Sequence, residues 1–264
     1  MKQKFLSYYE NYSWFGSYAF LGHALFARSR LRRLSLLNRQ KDYLRLSSNP
    51  ELFLLHRKLN QHLLEQSDNW EDYDYGEGYF YQSLDSIGIT GFRDTKARVE
   101  AMALKDFLKN KEILEIGCNA GFLSHSVGDV VKSALGFDVN PFQVSIATDV
   151  ANFLGLKNLD FRESSFEDFD CSKKFDVVIS FANHSTHDGR TTQNLEDYFS
   201  RCQNLLKIGG ALLFESHPPE IEKNGIEKVC SVIGEKFDIE ERKVLNYGGF
   251  LDQNRTYLKA FRSA

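Results

Sequence analysis

Short apolar runs alternate with segments of helical periodicity from about residue 111 onward. The apolar runs rich in β-branched and aromatic residues are Ile113–Ile116, Ala134–Phe137, Leu159–Phe161, Phe175–Phe181 and Ala211–Phe214. The segments of helical spacing between them are Gly121–Val130, Pro141–Leu154 and Leu195–Leu206. This alternation predicts βαβ units and a parallel sheet that is covered by helices on both faces. We therefore predict a doubly wound α/β domain over residues 95–264.

The segments that flank this alternating part add to the same domain. A helix is predicted over Lys96–Leu108, behind a cap at Asp94-Thr95, and it leads into the first strand. After the fifth strand, the pattern predicts a helix over Glu220–Ile233 and two further strands, Phe237–Leu245 and Thr256–Phe261. The sheet is therefore expected to contain seven strands.

The first 94 residues have a different composition. They hold 18 of the 36 aromatic side chains, and the stretch Arg28–Arg45 carries seven basic residues and one acidic residue. Apolar positions in that stretch predict a helix with one apolar face, formed by Leu31, Leu34, Leu37 and Leu44. A second helix is predicted over Pro50–Gln66, behind a cap at Asn49. We predict a helical cap or lid over residues 1–94, whose basic stretch is a solvated helix face, a face docked on acidic neighbours, or a contact for a membrane surface or polyanion.

The turn after the first predicted strand carries the strongest chemical signal. Glycines at positions 117 and 121 allow backbone to approach a ligand and tolerate a positive φ. The dinucleotide fingerprint would need glycines where Asn119 and Phe122 stand, and the Gly-Lys-Ser/Thr phosphate loop is absent. Glu115 lies two residues before the first glycine and suits a cationic group, such as an α-ammonium, better than a diphosphate. The turn therefore predicts a site for a positively charged ligand.

The segment Glu115–Gly121 resembles the first motif of class I S-adenosylmethionine-dependent methyltransferases, which usually reads Asp/Glu-x-Gly-x-Gly-x-Gly. It departs from that motif at Asn119, which stands in place of the middle glycine. Four further motifs follow in the order of that family, and they are Ala134–Asp138, Phe161–Phe166, Phe175–Phe181 and Leu205–Gly210. The resemblance implies a Rossmann-like methyltransferase sheet whose last strand is antiparallel, with the N-terminal helical cap added to it. It also implies S-adenosylmethionine as the cofactor.

The same resemblance implies roles for individual residues. The residues that it places around the methionine and sulfonium end of the cofactor are Glu115, Gly117, Cys118, Asn119 and Gly121. Asp138, 21 residues after the first glycine, is expected to bind both ribose hydroxyls. Ser165 and Phe166 are expected to flank the adenine, with Ser165 at a position that is often Asp in the family. Phe181, at the end of the fourth strand, completes the predicted cofactor-binding set.

The methyl acceptor is expected beyond the fourth and fifth strands, because ligands of open parallel sheets bind past the carboxyl ends of the strands. His184 and His187 follow the fourth strand, and His217 follows the fifth. Methyl transfer requires an aligned nucleophile and, for a hydroxyl group, removal of its proton, which an imidazole with a pKa of about 6.5 can perform. We predict His184 and His187 as the catalytic residues, one of them a general base. His217 is predicted to orient the acceptor or to be a bystander.

A metal-assisted alternative would use the same region of the chain. Nitrogen and oxygen ligands on adjacent loops would come from His184, His187, Asp188, Glu215 and His217. Their spacing matches no specific ligand signature, and we predict no metal.

Composition and charge narrow the possible partners. A net charge of −3 argues against a dedicated nucleic-acid binder. The four cysteines form no CxxC pair, which argues against a zinc ribbon or a disulfide framework. The longest apolar stretch, Trp14–Ala27, is too short for a membrane span and lacks the pattern of a signal peptide. We expect a cytoplasmic protein without a transmembrane segment, and the sequence leaves its oligomeric state open.

These features together predict S-adenosylmethionine-dependent O-methylation of a small polar acceptor, such as a sugar, a phosphate-containing metabolite or a surface-polysaccharide precursor. Oxygen is preferred over nitrogen because of the histidines and because no Asn/Asp-Pro-Pro-Tyr motif follows the fourth strand. The segment Gly91–Arg98 and the residues after it resemble methyltransferases that modify bacterial surface polysaccharides or their precursors. Two alternatives stay open: an RNA methyltransferase that grips RNA through Arg28–Arg45, and a cofactor-binding but inactive partner subunit.

Overall fold

The computed structural model describes residues 29–185, 191–247, 249 and 252–263. The chain divides into two compact units, Met1–Asp94 and Thr95–Ala264. The role of the first unit as a cap stays a prediction. His187, one of the two residues predicted to be catalytic, lies outside the described residues. No helix in the described part of the chain is long and apolar enough to cross a membrane.

Two helices dominate the described part of the first unit, and they are α1 (Arg30–Leu46) and α2 (Pro50–Asn69). The side chain of Ser29 caps α1 by accepting a hydrogen bond from the backbone N–H of Arg32, the third residue of the helix. Asn49 caps α2 in the same way, and proline takes the first helical position. The second predicted helix is therefore confirmed.

The apolar face predicted for α1 is wrong, because Leu37 is 38% exposed and Leu44 is 59% exposed. The helix buries polar side chains instead, and Asp42 is fully buried. The Asp42 carboxylate accepts hydrogen bonds from the Tyr79 hydroxyl at 2.9 Å, the Thr90 backbone N–H at 2.5 Å and the Thr90 hydroxyl at 2.7 Å. A buried carboxylate is tolerated where hydrogen bonds replace its lost water. Spacing of leucines alone does not reveal such partners.

The second unit contains a seven-stranded sheet with six helices described around it. The strands are β1 (Glu112–Ile116), β2 (Ser133–Asp138), β3 (Leu159–Glu163), β4 (Phe175–Phe181), β5 (Leu206–Glu215), β6 (Asp238–Leu245) and β7 (Arg255–Phe261). The helices are α3 (Thr95–Ala101), α4 (Leu104–Leu108), α5 (Phe122–Val127), α6 (Pro141–Leu154), α7 (Leu195–Leu205) and α8 (Ile226–Gly234).

The strand order is β3-β2-β1-β4-β5-β7-β6. Strands β1 to β5 pair in parallel, whereas β7 pairs antiparallel with both β5 and β6. The predicted doubly wound fold with a reversed last strand is therefore confirmed. Because β1 to β5 are parallel, the carboxyl ends of β1, β2, β4 and β5 lie at the same edge of the sheet. The residues just past that edge form the candidate site.

Two buried clusters cover the two faces of the sheet, because successive side chains of a strand point to opposite faces. One cluster joins Leu114 of β1 to residues of α7 and α8, such as Phe199 and Val229. The other joins Ile113 of β1 to residues of α3, α4 and α5, such as Leu104. Burial of apolar surface on both faces fixes the sheet that positions the site.

Three predicted elements differ from the structure. The helix predicted over Lys96–Leu108 is interrupted at Ala103, whose φ is +51°. Strand β5 begins at Leu206 and not at the predicted Ala211, so it includes Gly209 and Gly210. The helix predicted from Glu220 begins only at Ile226, because Gly225, with a φ of +74°, stops it from extending backward. The segment before it forms the short 3-10 turn Pro219–Ile221.

Candidate functional site

The glycine turn between β1 and α5 is a tight backbone cradle. Gly117 has a φ of +61°, and a Cβ atom there would lie 2.3 Å from the Asn183 Oδ1 atom. Asn119 has a φ of +51°, and asparagine is among the few non-glycine residues that adopt this conformation readily. This tolerance explains how Asn119 can replace the middle glycine of the motif. Gly121, with a φ of +68°, caps α5 and packs against Phe161.

Asp138 lies at the carboxyl end of β2 beside this turn. Its two carboxylate oxygens accept hydrogen bonds from the backbone N–H of Asn119 at 2.8 Å and from that of Asn140 at 3.0 Å. The backbone N–H of Cys118 donates to the Phe137 carbonyl at 2.9 Å. These bonds hold the turn after β1 against the end of β2. A carboxylate has about four acceptor sites, so bonds to the turn and to two vicinal hydroxyls are compatible.

Glu115 is a buried carboxyl group at the carboxyl end of β1, and its residue is 4% exposed. Burial raises its pKa to about 7, although a hydrogen bond from the Ser124 hydroxyl and the nearby Arg98 guanidinium act in the opposite direction. A carboxyl with such a pKa changes charge near neutral pH. A cation placed beside it would therefore favour its ionised form.

Ser165 and Phe166 follow β3, where the sequence predicts the adenine-binding residues. The Ser165 hydroxyl donates to the Asp168 carboxylate at 2.7 Å and accepts from the backbone N–H of Asp168 at 3.0 Å. The Phe166 ring is buried and packs against Phe137 and Tyr198, at ring-centroid distances of 6.3 and 4.7 Å. Both side chains thus have partners within the fold, and their contact with adenine stays a prediction.

A buried ionic network lies where β4 and β5 end, and the sequence analysis did not identify it as a network. Glu215 of β5 has no exposed surface, and its carboxylate accepts hydrogen bonds from Arg98 Nε at 2.8 Å and from the Tyr247 hydroxyl at 2.7 Å. Arg255 Nη1 lies 3.1 Å from the other carboxylate oxygen. The Arg98 guanidinium also covers the Phe181 ring at 4.5 Å. Its buried Nη2 atom has no hydrogen-bond partner among the described residues.

His184 and His217 lie on the loops that follow β4 and β5, and their rings are 5.4 Å apart. His184 is 2% exposed, and its Nε2 atom lies 3.0 and 3.1 Å from the two carboxylate oxygens of Glu222. His217 Nε2 donates a hydrogen bond to the Ser185 carbonyl. Burial lowers the pKa of His217 to about 4, and the neighbouring His184 acts in the same direction. Glu222 is a further residue that sequence reasoning missed.

The residues of this edge fit the cofactor that the sequence resemblance implies. S-adenosylmethionine carries an ammonium group, a carboxylate and a ribose diol. Glu115 is a carboxylate for the ammonium, and the buried Nη2 of Arg98, which has no hydrogen-bond partner in the part of the chain that the structure describes, is a donor for a carboxylate. Asp138 is an acceptor for the diol, and Gly117 leaves space that a side chain would fill. The donor set and the backbone cradle therefore suit this group.

The described residues contain no cluster of three or more His, Cys, Asp or Glu side chains placed to hold a metal ion. His187 and Asp188, which the metal-assisted alternative requires, lie outside the described part. His184 and His217 are close to each other, but Glu215 is bonded to two arginines and a tyrosine.

Comparison with known proteins agrees with this geometry. A family model described as "Methyltransferase domain" matches residues 107–253, which is more than half of the chain. A protein of Methanocaldococcus jannaschii, "Putative protein N5-glutamine methyltransferase MJ0928", is 31% identical over 146 residues, which cover 53% of this chain and 72% of that protein. The ubiquinone biosynthesis O-methyltransferase of Cereibacter sphaeroides is 29% identical over 105 residues, which cover 38% of this chain and 39% of that protein.

The solved structures point to the same fold. The N-methyltransferase NodS from Bradyrhizobium japonicum WM9, in complex with S-adenosyl-l-homocysteine, matches with a TM-score of 0.55 at 16% identity. The match covers 80% of this chain and 99% of that chain. At such low identity the likeness concerns the fold alone. The sheet order, the glycine turn and the family match agree, and the chain belongs to the methyltransferase-domain family as a class I S-adenosylmethionine-dependent methyltransferase.

Proposed function

We propose that this enzyme methylates an oxygen atom of a small polar acceptor in the cytoplasm, such as a sugar, a phosphate-containing metabolite or a surface-polysaccharide precursor. The observation that carries the proposal is the buried imidazole of His184, which follows β4 directly and whose Nδ1 atom has no partner among the described residues. A hydroxyl acceptor must lose its proton during transfer, and an imidazole nitrogen is a suitable acceptor for it.

The residue before His184 supports oxygen over nitrogen. Asn183 stands where the amino-methylating motif begins, but His and Ser follow it instead of two prolines. Its side-chain amide donates to the Ile116 carbonyl at 2.5 Å, so it holds the loop to the end of β1. Of the two relatives described above, one is named as an N5-glutamine methyltransferase and the other as an O-methyltransferase. The choice of oxygen in this proposal therefore rests on the residues of this chain.

The acceptor side of the sheet edge is polar. Glu215, Ser216 and His217 follow one another at the end of β5, and all three are buried. Arg255 of β7 donates to the Ser216 carbonyl at 3.0 Å. Buried polar groups suit a polar acceptor, because an apolar acceptor would cover them without offering hydrogen bonds.

In this proposal, S-adenosylmethionine supplies a methyl group on a positively charged sulfur when it is bound. Glu115 and the turn at Gly117 and Asn119 hold its methionine end, and Asp138 holds its ribose. His184 or His187 removes the proton of the acceptor hydroxyl. His217, which stays neutral at cytoplasmic pH because burial lowers its pKa to about 4, orients the acceptor loop through its bond to Ser185.

No specific observation favours the RNA-methylating alternative. Three basic residues of α1 are engaged within their own unit: Arg32 donates to the Glu77 carbonyl, Arg39 is buried, and Arg45 pairs with Asp42 at 2.8 Å.

The proposal is tested with purified protein, S-adenosylmethionine labelled in its methyl group, and a panel of small acceptors. The hydroxyl compounds are glucose, glycerol 3-phosphate and catechol, and the amines are glucosamine and spermidine. Total RNA is a separate arm. We expect label on oxygen in at least one hydroxyl compound. Transfer to amine nitrogen or to RNA alone would contradict the proposal, and catechol as the sole acceptor would contradict the sugar and phosphate classes.

Asp138→Ala is expected to weaken the binding of S-adenosylhomocysteine by about 1.5–3 kcal/mol, or one to two decades in Kd. The substitution removes the acceptor for the ribose and also the bonds that hold Asn119 and Asn140. Calorimetric titration measures the affinity, and thermal unfolding of the same variant reports any general loss of structure. Asp138→Asn keeps one acceptor oxygen and should fall between the two proteins. Unchanged affinity in the Ala variant would end the assignment.

The affinity for S-adenosylhomocysteine is expected to rise about tenfold from pH 6 to pH 8. Below its pKa of about 7, Glu115 is mostly protonated in the ligand-free protein, so binding of an ammonium group must first ionise it and release a proton. Above pH 8, Glu115 is already ionised in the ligand-free protein, so binding no longer has to release a proton. Titration in buffers of different ionisation enthalpy measures the proton release. Glu115→Gln should give a flat profile, and a flat profile in the unmodified protein would contradict the role of Glu115.

A further inference from the structure

Two loops at the acceptor side of the sheet hold each other through their histidines. His184 follows β4 and bonds to Glu222, the residue directly after the short 3-10 turn Pro219–Ile221. His217 follows β5 and bonds to the carbonyl of Ser185, the residue after His184. Each loop thus provides one imidazole, which bonds to a residue of the other loop. This reciprocal arrangement fixes both imidazole rings against rotation.

The pair of His184 and Glu222 is shielded from water. The His184 side chain has no exposed surface, and the Glu222 side chain is 1% exposed. The His184 ring packs against Phe199 and Phe214, at centroid distances of 6.3 and 5.1 Å. A carboxylate buried without a partner would be costly, and here its partner is one nitrogen of a buried ring. The geometry therefore determines which nitrogen of His184 carries hydrogen.

The two nitrogens of His184 differ in their surroundings. An ionised carboxylate only accepts hydrogen bonds, so Nε2 must donate to Glu222. Burial raises the pKa of Glu222, but the hydrogen bond from His184 outweighs burial, so the pKa lies below its usual value and the group is ionised at neutral pH. In neutral His184 the Nδ1 atom then carries a lone pair, and it has no partner among the described residues.

We propose that Glu222 is a positioning residue for methyl transfer, which holds His184 with hydrogen on Nε2 and presents the Nδ1 lone pair to an acceptor hydroxyl. This inference rests on the proposed function. In the step that it serves, the acceptor oxygen forms a bond to the methyl carbon as the carbon–sulfur bond breaks. The electron pair of that bond goes to sulfur, and the hydroxyl proton goes to Nδ1. Glu222 then faces an imidazolium, whose charge it stabilises.

The deciding experiment is long-range proton–nitrogen NMR at pH 7.5 on protein labelled with 15N-histidine. The His184→Gln variant assigns the His184 signals by their loss. We expect the wild-type ring to have hydrogen on Nε2 alone. In Glu222→Gln the carboxamide can donate as well as accept, so both tautomers should be seen. Glu222→Ala, which removes the acceptor, is a second variant with the same expected result.

The matched control is Glu220→Gln, which changes an exposed carboxylate within the same 3-10 turn and should leave the His184 signals unchanged. Hydrogen on Nδ1 in the wild type would overturn the proposal. Hydrogen on both nitrogens would also overturn it, because the ring would then have no lone pair to offer. A single Nε2–H tautomer that persists in both Glu222 variants would show that Glu222 does not set the ring.

A second readout links the orientation to the reaction. On the hydroxyl compound of the panel that is methylated, Glu222→Gln is expected to lower kcat by about 10- to 100-fold with little change in KM or in S-adenosylhomocysteine affinity. The two failures are distinguishable. If no hydroxyl compound is methylated, the proposed function fails while the NMR result stands. If the Glu222 variants keep the wild-type tautomer of His184, only this inference fails, because the acceptor panel tests the methylation of hydroxyl compounds independently.

Discussion

Glu215→Ala is expected to lower the free energy of unfolding by about 3–5 kcal/mol, the range found when one partner of a buried ion pair is removed. Glu215 has no exposed surface, and it is bonded to two arginines that are each 3% exposed. Without it, Arg98 would lose its carboxylate partner, and Arg255 would keep the more distant Asp252, whose carboxylate lies 3.9 Å from its Nε atom. Water cannot reach them to compensate, so the loss should exceed that of an ordinary buried hydrogen bond.

Urea unfolding measures the effect as a shift of the midpoint at unchanged m-value. Arg242→Ala is the control, because Arg242 and Glu227 form an exposed ion pair, which is worth at most about 1 kcal/mol. Glu215→Gln keeps an acceptor but removes the charge, and it should lie between the two. A loss below about 1 kcal/mol for Glu215→Ala would mean that the arginines find other partners, and that the network is not the support of this edge.

The network also orients groups toward the candidate cofactor site. Arg98 is bonded through Nε to Glu215, which leaves its Nη2 atom beside the buried edge without a hydrogen-bond partner in the described residues. The same guanidinium lowers the pKa of Glu115 against the larger effect of burial. One arginine thus couples the ends of β1 and β5. Apolar side chains in place of such a network can give the protein equal stability. They would not, however, place a positive charge next to Glu115.

Local sequence signals were sufficient for the sheet and for the turn after β1. Apolar runs bounded by turn residues predict strands because each strand is buried on both faces. Helix α6 could be predicted to the residue, since Asn140 caps it, Pro141 starts it and Gly155 ends it in a left-handed conformation. The glycine turn and Asp138 are recognised because the residues that act together are close in sequence or one βαβ unit apart.

The parts that could not be predicted depend on contacts between distant residues. Arg98 and Glu215 are 117 residues apart, and no local pattern pairs them. His184 and Glu222 are 38 residues apart and belong to different loops. The histidines were identified from their place after the strands, but that place does not reveal burial or a carboxylate partner. The polar face of α1 is a similar case, because Asp42 is buried only by virtue of Tyr79 and Thr90.

His184→Ala is expected to lower turnover by about a hundred- to ten-thousand-fold, with S-adenosylhomocysteine affinity close to that of the wild type. The variant removes the base but none of the residues assigned to the cofactor. His184→Gln is its companion, because the longer side chain fills more of the space beside Phe199 and Phe214 and limits any loss of packing. Thermal unfolding of both variants shows whether the fold is retained.

Parallel variants of the other histidines separate the possible roles. His187→Ala should match the loss in His184→Ala if His187 is the base instead, whereas His217→Ala should mainly raise KM, because His217 bonds to the loop that carries His184. Loss of activity with EDTA, restored by a divalent ion, would make these residues metal ligands. Near-wild-type turnover in all three Ala variants would mean that alignment of the acceptor alone drives transfer. The pairing of His184 with Glu222 favours His184, since a base that gains charge in the transition state benefits from a carboxylate already in contact with it.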